Sequence, residues 1–110
     1  MSVKVDEVKL LALAGNEPAL LISIVEDFGV NGRSLVNTIK EAREKGSAKG
    51  LKACLHQLKG ASGSLGMSSL YERCINVEMM EFEEISDEVL EELSSQIKLS
   101  VQLALSSLDG

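Results

Sequence analysis

Polar and apolar positions alternate along almost the whole chain with the three- and four-residue spacing of helices. Val5 to Ala14 reads as a short amphipathic helix, with Asp6 near its start and Gly15 near its end. Asn16 is placed to cap the next helix, with Glu17 in its first turn and Pro18 tolerated there. In that second helix Leu21, Val25, Phe28, Gly32, Leu35, Ile39 and Ala42 make one stripe down to about Lys45. Gly29 and Gly32 lie in its middle, where a glycine costs about 1 kcal/mol relative to alanine, and mark the place for a bend or break. Gly46-Ser47 closes it and caps a third helix with Leu51, Leu55, Leu58, Ser62 and Leu65 on its apolar side, stopped by Gly66. Ser69 and Glu72 have the spacing of a capping box for a fourth helix from about Leu70 to Phe82. Ser86-Asp87-Glu88 opens a fifth, with Val89, Leu93, Ile97, Ser100, Ala104 and Leu108 facing a core. Short connections make successive long helices antiparallel. The pattern predicts an all-α protein, an up-down antiparallel four-helix bundle with a short N-terminal helix across one end.

Composition narrows this further. The 110 residues suit a single domain with one core. Hydrophobic residues make up 45% of the chain, with Phe28, Phe82 and Tyr71 its aromatic residues, so the core must come from aliphatic side chains, which favours helix-on-helix packing. A monomer is expected, because one bundle buries every stripe. Met1 and the domain-sized length favour a free-standing protein over a segment of a larger kinase.

Charge removes several functional classes. A net charge of −6 argues against nucleic-acid binding, which needs an extended basic face. No run approaches the roughly 20 apolar residues of a membrane span, and the first residues lack the apolar stretch of a secretory signal. The expected location is the cytoplasm, where Cys54 and Cys74 remain free thiols. From Glu72 to Glu92 there are nine acids against Arg73 alone, a local charge of −8. That run reads as a solvated face of the last two helices. A sharper reading makes it a surface that repels wrong partners and orients docking.

The stretch from Lys45 to Tyr71 contrasts with this, since it holds no acid and carries the one histidine, His56. A helix advances about 100° per residue, so the ring points roughly 150° away from the mean direction of the Leu51–Leu65 stripe, into solvent. Lys49, Lys52, Ala53, Lys59, Gly60 and Gly63 fall within roughly 60° of the ring's direction. Gly60, one turn on, leaves no side chain above the imidazole. Glycines are unfavourable inside a helix, so the pair Gly60 and Gly63 suggests that a second surface approaches closely. An exposed ring nitrogen, unprotonated near neutral pH, uncovered and flanked by positive charge, is what in-line phosphoryl transfer to imidazole requires. The plainer reading is a solvated helix face.

The segment His56-Gln57-Leu58-Lys59-Gly60-Ala61-Ser62-Gly63-Ser64-Leu65-Gly66 resembles the signature of histidine phosphotransfer (HPt) domains, His-x-Leu-Lys-Gly-Ser/Ala-Ser/Ala-x-x-Leu-Gly. The flanking chain agrees in length and helical order. The resemblance implies a helical bundle that carries a phosphoryl group between receiver-domain aspartates, or accepts it from a histidine kinase, without an ATP site of its own. It makes His56 the phosphoryl acceptor through Nε2 and Lys59 the neutraliser of the phosphoryl oxygens. Gly60 then keeps the site open. Glu78 falls where many members place a Glu or Gln bonded to the histidine, and a carboxylate there would fix the tautomer that frees Nε2. Lys52, with Gly60 and Gly63, is assigned to the partner-facing surface. The implied partners are the receiver domain of a response regulator, a hybrid histidine kinase, or both, with Mg²⁺ held by the receiver and no cofactor on this chain. A non-catalytic adaptor that docks a receiver or kinase without carrying phosphate is the alternative. A metal-dependent bundle enzyme fits poorly, since it would want Glu-x-x-His pairs projecting inward.

Overall fold

A computed structural model describes residues 3–109, leaving Met1, Ser2 and Gly110 outside the described residues. Helix α1 spans Glu7–Ala14, α2 Pro18–Glu44, α3 Ala48–Ser64, α4 Ser68–Glu78 and α5 Asp87–Asp109, with a 3-10 turn at Phe82–Glu84 before the last. Among the described residues there is no strand. Helices α2 to α5 form a ring in which α2 packs on α3 and α5, and α4 packs on the same two. Helix α1 lies against α2 and α5. The architecture is the expected up-down four-helix bundle.

Most helix ends follow from local chemistry visible in the chain. The Asp6 carboxylate accepts the N–H of Lys9 at 3.0 Å, and Ser47 Oγ accepts that of Gly50 at 3.1 Å. Ser86 Oγ accepts the N–H of Val89 at 3.3 Å. Gly66, at φ 69°, takes the left-handed turn that ends α3, while the Met67 N–H reaches back to Ser62 O at 2.9 Å. Three boundaries differ from expectation. Asn16 does not cap α2; Glu17 holds that position without a side-chain bond, and Pro18 supplies the preset first turn. The Ser69–Glu72 capping box does not form, because α4 already begins at Ser68 and the Ser69 hydroxyl accepts the N–H of Lys4 at 2.7 Å instead. Helix α4 ends at Glu78 rather than Phe82, which falls in the 3-10 turn. That turn has a capping box of its own, built from Glu81 and Glu84.

The core is aliphatic and lies inside the ring. Val25, Ile39, Leu51, Leu55, Leu58, Leu70, Val77, Leu93 and Ile97 are fully buried in it. The α2 stripe holds at Leu21, Val25, Phe28, Gly32 and Ile39, while Val36 takes the inner position and Leu35 is only half-buried. Gly29 and Gly32 do not break the helix. A Cβ on Gly32 would sit 3.3 Å from both Cδ1 and Cγ2 of Ile97, and one on Gly29 would sit 3.3 Å from Cγ2 of Val101. The glycines therefore mark where α5 crosses close to α2. The unfavourable propensity of each is offset by the approach of the partner helix.

At the far end of the bundle Arg43 ties the connection before α5 to α2. Its guanidinium donates to Ile85 O at 3.3 Å and to the carboxylate of Asp87, which it holds below the ordinary carboxylate range.

Gly32→Ala is expected to lower the stability of the chain by about 1 kcal/mol in urea unfolding, the helix-propensity gain being outweighed by displacement of the fully buried Ile97. Stabilisation of the kind seen at an exposed helical glycine would contradict the close-approach account.

Candidate phosphotransfer site

Helix α3 turns one side inward and leaves the ring of His56 outside. Leu55 and Leu58 on either side are fully buried, whereas the His56 side chain is 74% exposed. The buried Ser62 completes the inner stripe by donating its hydroxyl to Leu58 O at 2.7 Å, so a polar group is accommodated in the core without a cross-helix partner. The wheel-based expectation for the direction of His56 is met.

The edge of α3 that carries Lys52, Lys59 and Gly63 packs against α4, and it gathers the predicted residues unevenly. Lys59 Nζ lies 3.1 Å from Glu78 Oε1 and 3.3 Å from Oε2. The same Oε1 is 4.0 Å from His56 Nδ1, too far for a hydrogen bond. Glu78 is thus bonded to the lysine and merely faces the imidazole. The side chains of Lys59 and Glu78 are each about a quarter exposed, at 22% and 25%, so their attraction is less screened than that of a surface pair.

Lys52 has a different set of partners. Its amine donates to Glu78 O and, at 3.0 Å, to Met80 O. Helix α4 has no basic residue in its own last turn, and its terminal carbonyls lack helical donors. Lys52 supplies both a donor and a positive charge there from the neighbouring helix. The amine expected on the partner-facing surface is thus occupied by carbonyls of the neighbouring helix end.

The two glycines also divide. A Cβ on Gly60 would meet nothing within 4 Å, so the space one turn beyond His56 is open. A Cβ on Gly63 would lie 2.9 Å from Cδ1 of Tyr71, and that ring occupies the place of the missing side chain. Gly63 therefore serves an approach from within the molecule. Its carbonyl accepts Lys9 Nζ at 2.8 Å.

Lys9 belongs to an N-terminal segment that binds the α3–α4 turn. The Asp6 N–H donates to Gly66 O at 2.7 Å, and the Ser69 N–H donates to Lys4 O at 3.2 Å. Asp6 and Lys9 join Gly60, Gly63, Tyr71 and Glu72 around an open cleft beside the histidine face. Sequence reasoning missed these participants. Bonds to backbone carbonyls leave no residue pattern, although a glycine on the α4-facing edge of α3 does signal a bulky neighbour.

The acidic stretch breaks up on folding. Glu78 faces Lys59, Glu92 pairs with Arg73, Asp87 pairs with Arg43, and Glu81 with Glu84 caps the 3-10 turn. Glu83, Glu88 and Glu91 are exposed. Both cysteines are free; Cys54 is half-buried and Cys74 fully buried. Burial, reinforced by the Glu78 carboxylate, pushes the Cys74 thiol up to about 12.

The site is thus an exposed imidazole on a bundle helix, with a lysine a turn away and a bare glycine beyond it. A family model for the Hpt domain matches residues 23–107, and the chain belongs to that family. Its role is histidine phosphotransfer in two-component signalling, a carrier's role rather than a kinase's. The match omits α1 and the first turn of α2. Neither a curated protein nor a solved structure matches the chain. Among the described residues no helix is long and apolar enough to cross a membrane.

Gly60→Ala is expected to raise stability by about 0.5–1 kcal/mol, the gain of an unobstructed helical alanine. Gly63→Ala must displace the Tyr71 ring and should unfold at lower urea than Gly60→Ala. Equal midpoints would contradict the assignment of the two glycines. A maleimide at neutral pH should modify Cys54 well before Cys74, read by mass spectrometry of the native chain. Prompt modification of Cys74 would show that it is not sealed in the core.

Proposed function

We propose that the chain is a phosphorelay intermediate whose His56 takes a phosphoryl group from a receiver-domain aspartate and returns it to another. The observation that carries this reading is the combination of a 74% exposed His56 side chain with an Nδ1 edge turned toward Glu78. With Nδ1 on the carboxylate side, Nε2 is the nitrogen presented to a partner. Its lone pair attacks phosphorus in line. The bond from phosphorus to the aspartyl oxygen breaks, and the electron pair leaves on that carboxylate. No proton has to be removed from Nε2 in the tautomer that carries hydrogen on Nδ1.

In this reading Lys59 neutralises the phosphoryl oxygens, Glu78 orients the imidazole by its charge facing Nδ1 at 4.0 Å rather than by a hydrogen bond, and Gly60 keeps the approach open, a role supported by the empty space where its Cβ would be. Gly63 and Lys52 border the same face. Gly63 shapes it through Tyr71, and Lys52 holds α4 in place behind it. The partner is a receiver domain, either on a response regulator or within a hybrid kinase. It brings the aspartate and the Mg²⁺ that shields the transferring group. The chain acts as a cytoplasmic monomer, with one bundle per receiver.

The test is transfer of label. Receiver domains of the source organism, charged with acetyl phosphate, are mixed with the purified chain. The expected result is acid-labile, alkali-stable label on the wild type and none on His56→Gln. Label retained by His56→Gln would end the assignment of His56. Docking of a charged receiver without any transfer would favour the adaptor instead.

A further inference from the structure

The lysine expected to meet the phosphoryl group already has a carboxylate. Lys59 Nζ sits 3.1 Å and 3.3 Å from the two oxygens of Glu78, and Lys52 is held by the carbonyls of Glu78 and Met80. Lys9, the amine contributed by α1, is bonded to Gly63 O. Each amine of the unphosphorylated site thus has a partner, although the sequence around His56 is free of acids. The carboxylate among these partners comes from the next helix and lies 4.0 Å from Nδ1 of the acceptor ring.

We propose that Glu78 is a releasable counter-ion: it holds Lys59 while His56 is bare and gives it up when His56 is phosphorylated, so that it sets how much phosphate the carrier retains. This rests on the reading of His56 as the phosphoryl acceptor. Glu78 acts through Lys59 and is therefore a positioning residue.

The argument is one of charge. The phosphoryl group adds between one and two negative charges on Nε2, across the imidazole ring from a carboxylate that is only a quarter exposed. Like charges repel across one ring where the carboxylate is partly desolvated. Lys59 relieves the repulsion by turning toward the phosphoryl oxygens. Its new contact then replaces an existing ion pair, and the net gain is smaller than a free lysine would give. A carrier that must surrender its group as readily as it accepts it is suited by such a compromise, since tight retention would halt transfer to the next receiver.

Glu78→Gln separates this role from orientation of the ring. The amide keeps the side chain's shape and an oxygen able to accept from Nδ1–H, while removing the charge that holds Lys59 and opposes phosphate. The full chain is equilibrated in mildly alkaline buffer with a receiver that exchanges label with the wild type, and the fraction of labelled His56 is measured. The expected result for Glu78→Gln is a ratio of phosphorylated to free His56 about three- to tenfold higher than in wild type, the range for one partly screened charge interaction. An unchanged or lower ratio overturns the counter-ion role. Absence of label on wild-type His56 overturns the carrier reading and this proposal with it. A second measurement needs no variant: on phosphorylation the Lys59 ¹⁵Nζ and Glu78 ¹³Cδ resonances of the wild type should both move as the pair separates. Stationary resonances on a fully labelled chain overturn the release.

Discussion

The C-terminal turn of α4 is held against α3 by one amine, and the geometry around the histidine depends on that contact. Lys52 places its ammonium on the carbonyls of Glu78 and Met80. A helix of 11 residues without a basic residue in its last turn has a weak end, both for its orphan carbonyls and for its dipole. Closing that end from the neighbouring helix fixes where Glu78 leaves the backbone. The Glu78 carboxylate is thereby set between Lys59 and the imidazole. Lys52 lies one turn before His56, so a single helix contributes both the exposed imidazole and the clamp that positions the imidazole's surroundings.

The opposite side of the site is closed by backbone rather than by charge. Residues ahead of and within the start of α1 bond to the turn between α3 and α4, through Asp6 to Gly66 and Lys4 to Ser69. The Tyr71 ring rests on the bare backbone of Gly63. Helix α3 is therefore fastened to α4 at both ends of the stretch that carries His56, and the histidine stands on a helix braced at two points. Precision of a fraction of an ångström matters in group transfer, and rigid elements deliver it better than loops.

The chain disclosed its helices, their order and the outward face of His56, because each of these follows from apolar spacing, and that spacing persists over long segments. Leu51, Leu55 and Leu58 are buried and His56 is exposed for the same geometric reason. Boundaries set by competing caps were less legible. Ser69 has the right type and spacing for a cap, but Lys4, far away in sequence, claims its hydroxyl. Propensity alone makes Gly29 and Gly32 a place for a bend or break, whereas the packing of Ile97 and Val101 makes them the point of close helix approach. Within the site, His56 follows from the acid-free window and the helical wheel, Lys59 from the signature and Glu78 from the wider family resemblance; Lys59 and Glu78 are paired, with the imidazole 4.0 Å from the carboxylate. The preference of Glu78 for Lys59, and of Lys52 for backbone carbonyls, depends on distances between helices, which no linear pattern encodes.

The seam between α2 and α5, with its two glycines, bears on none of these charges, yet the separation of roles has a practical side. The acid-free window around His56 belongs to the chain and vanishes on folding, when Glu78 enters from the neighbouring helix. An attempt to move the histidine motif into another bundle by copying residues 56–66 would carry the imidazole, the lysine and the open glycine. It would leave behind the carboxylate that balances the lysine and the amine that holds that carboxylate in place. The transferable unit is a pair of clamped helices, and its smallest portable form runs from Lys52 through Met80.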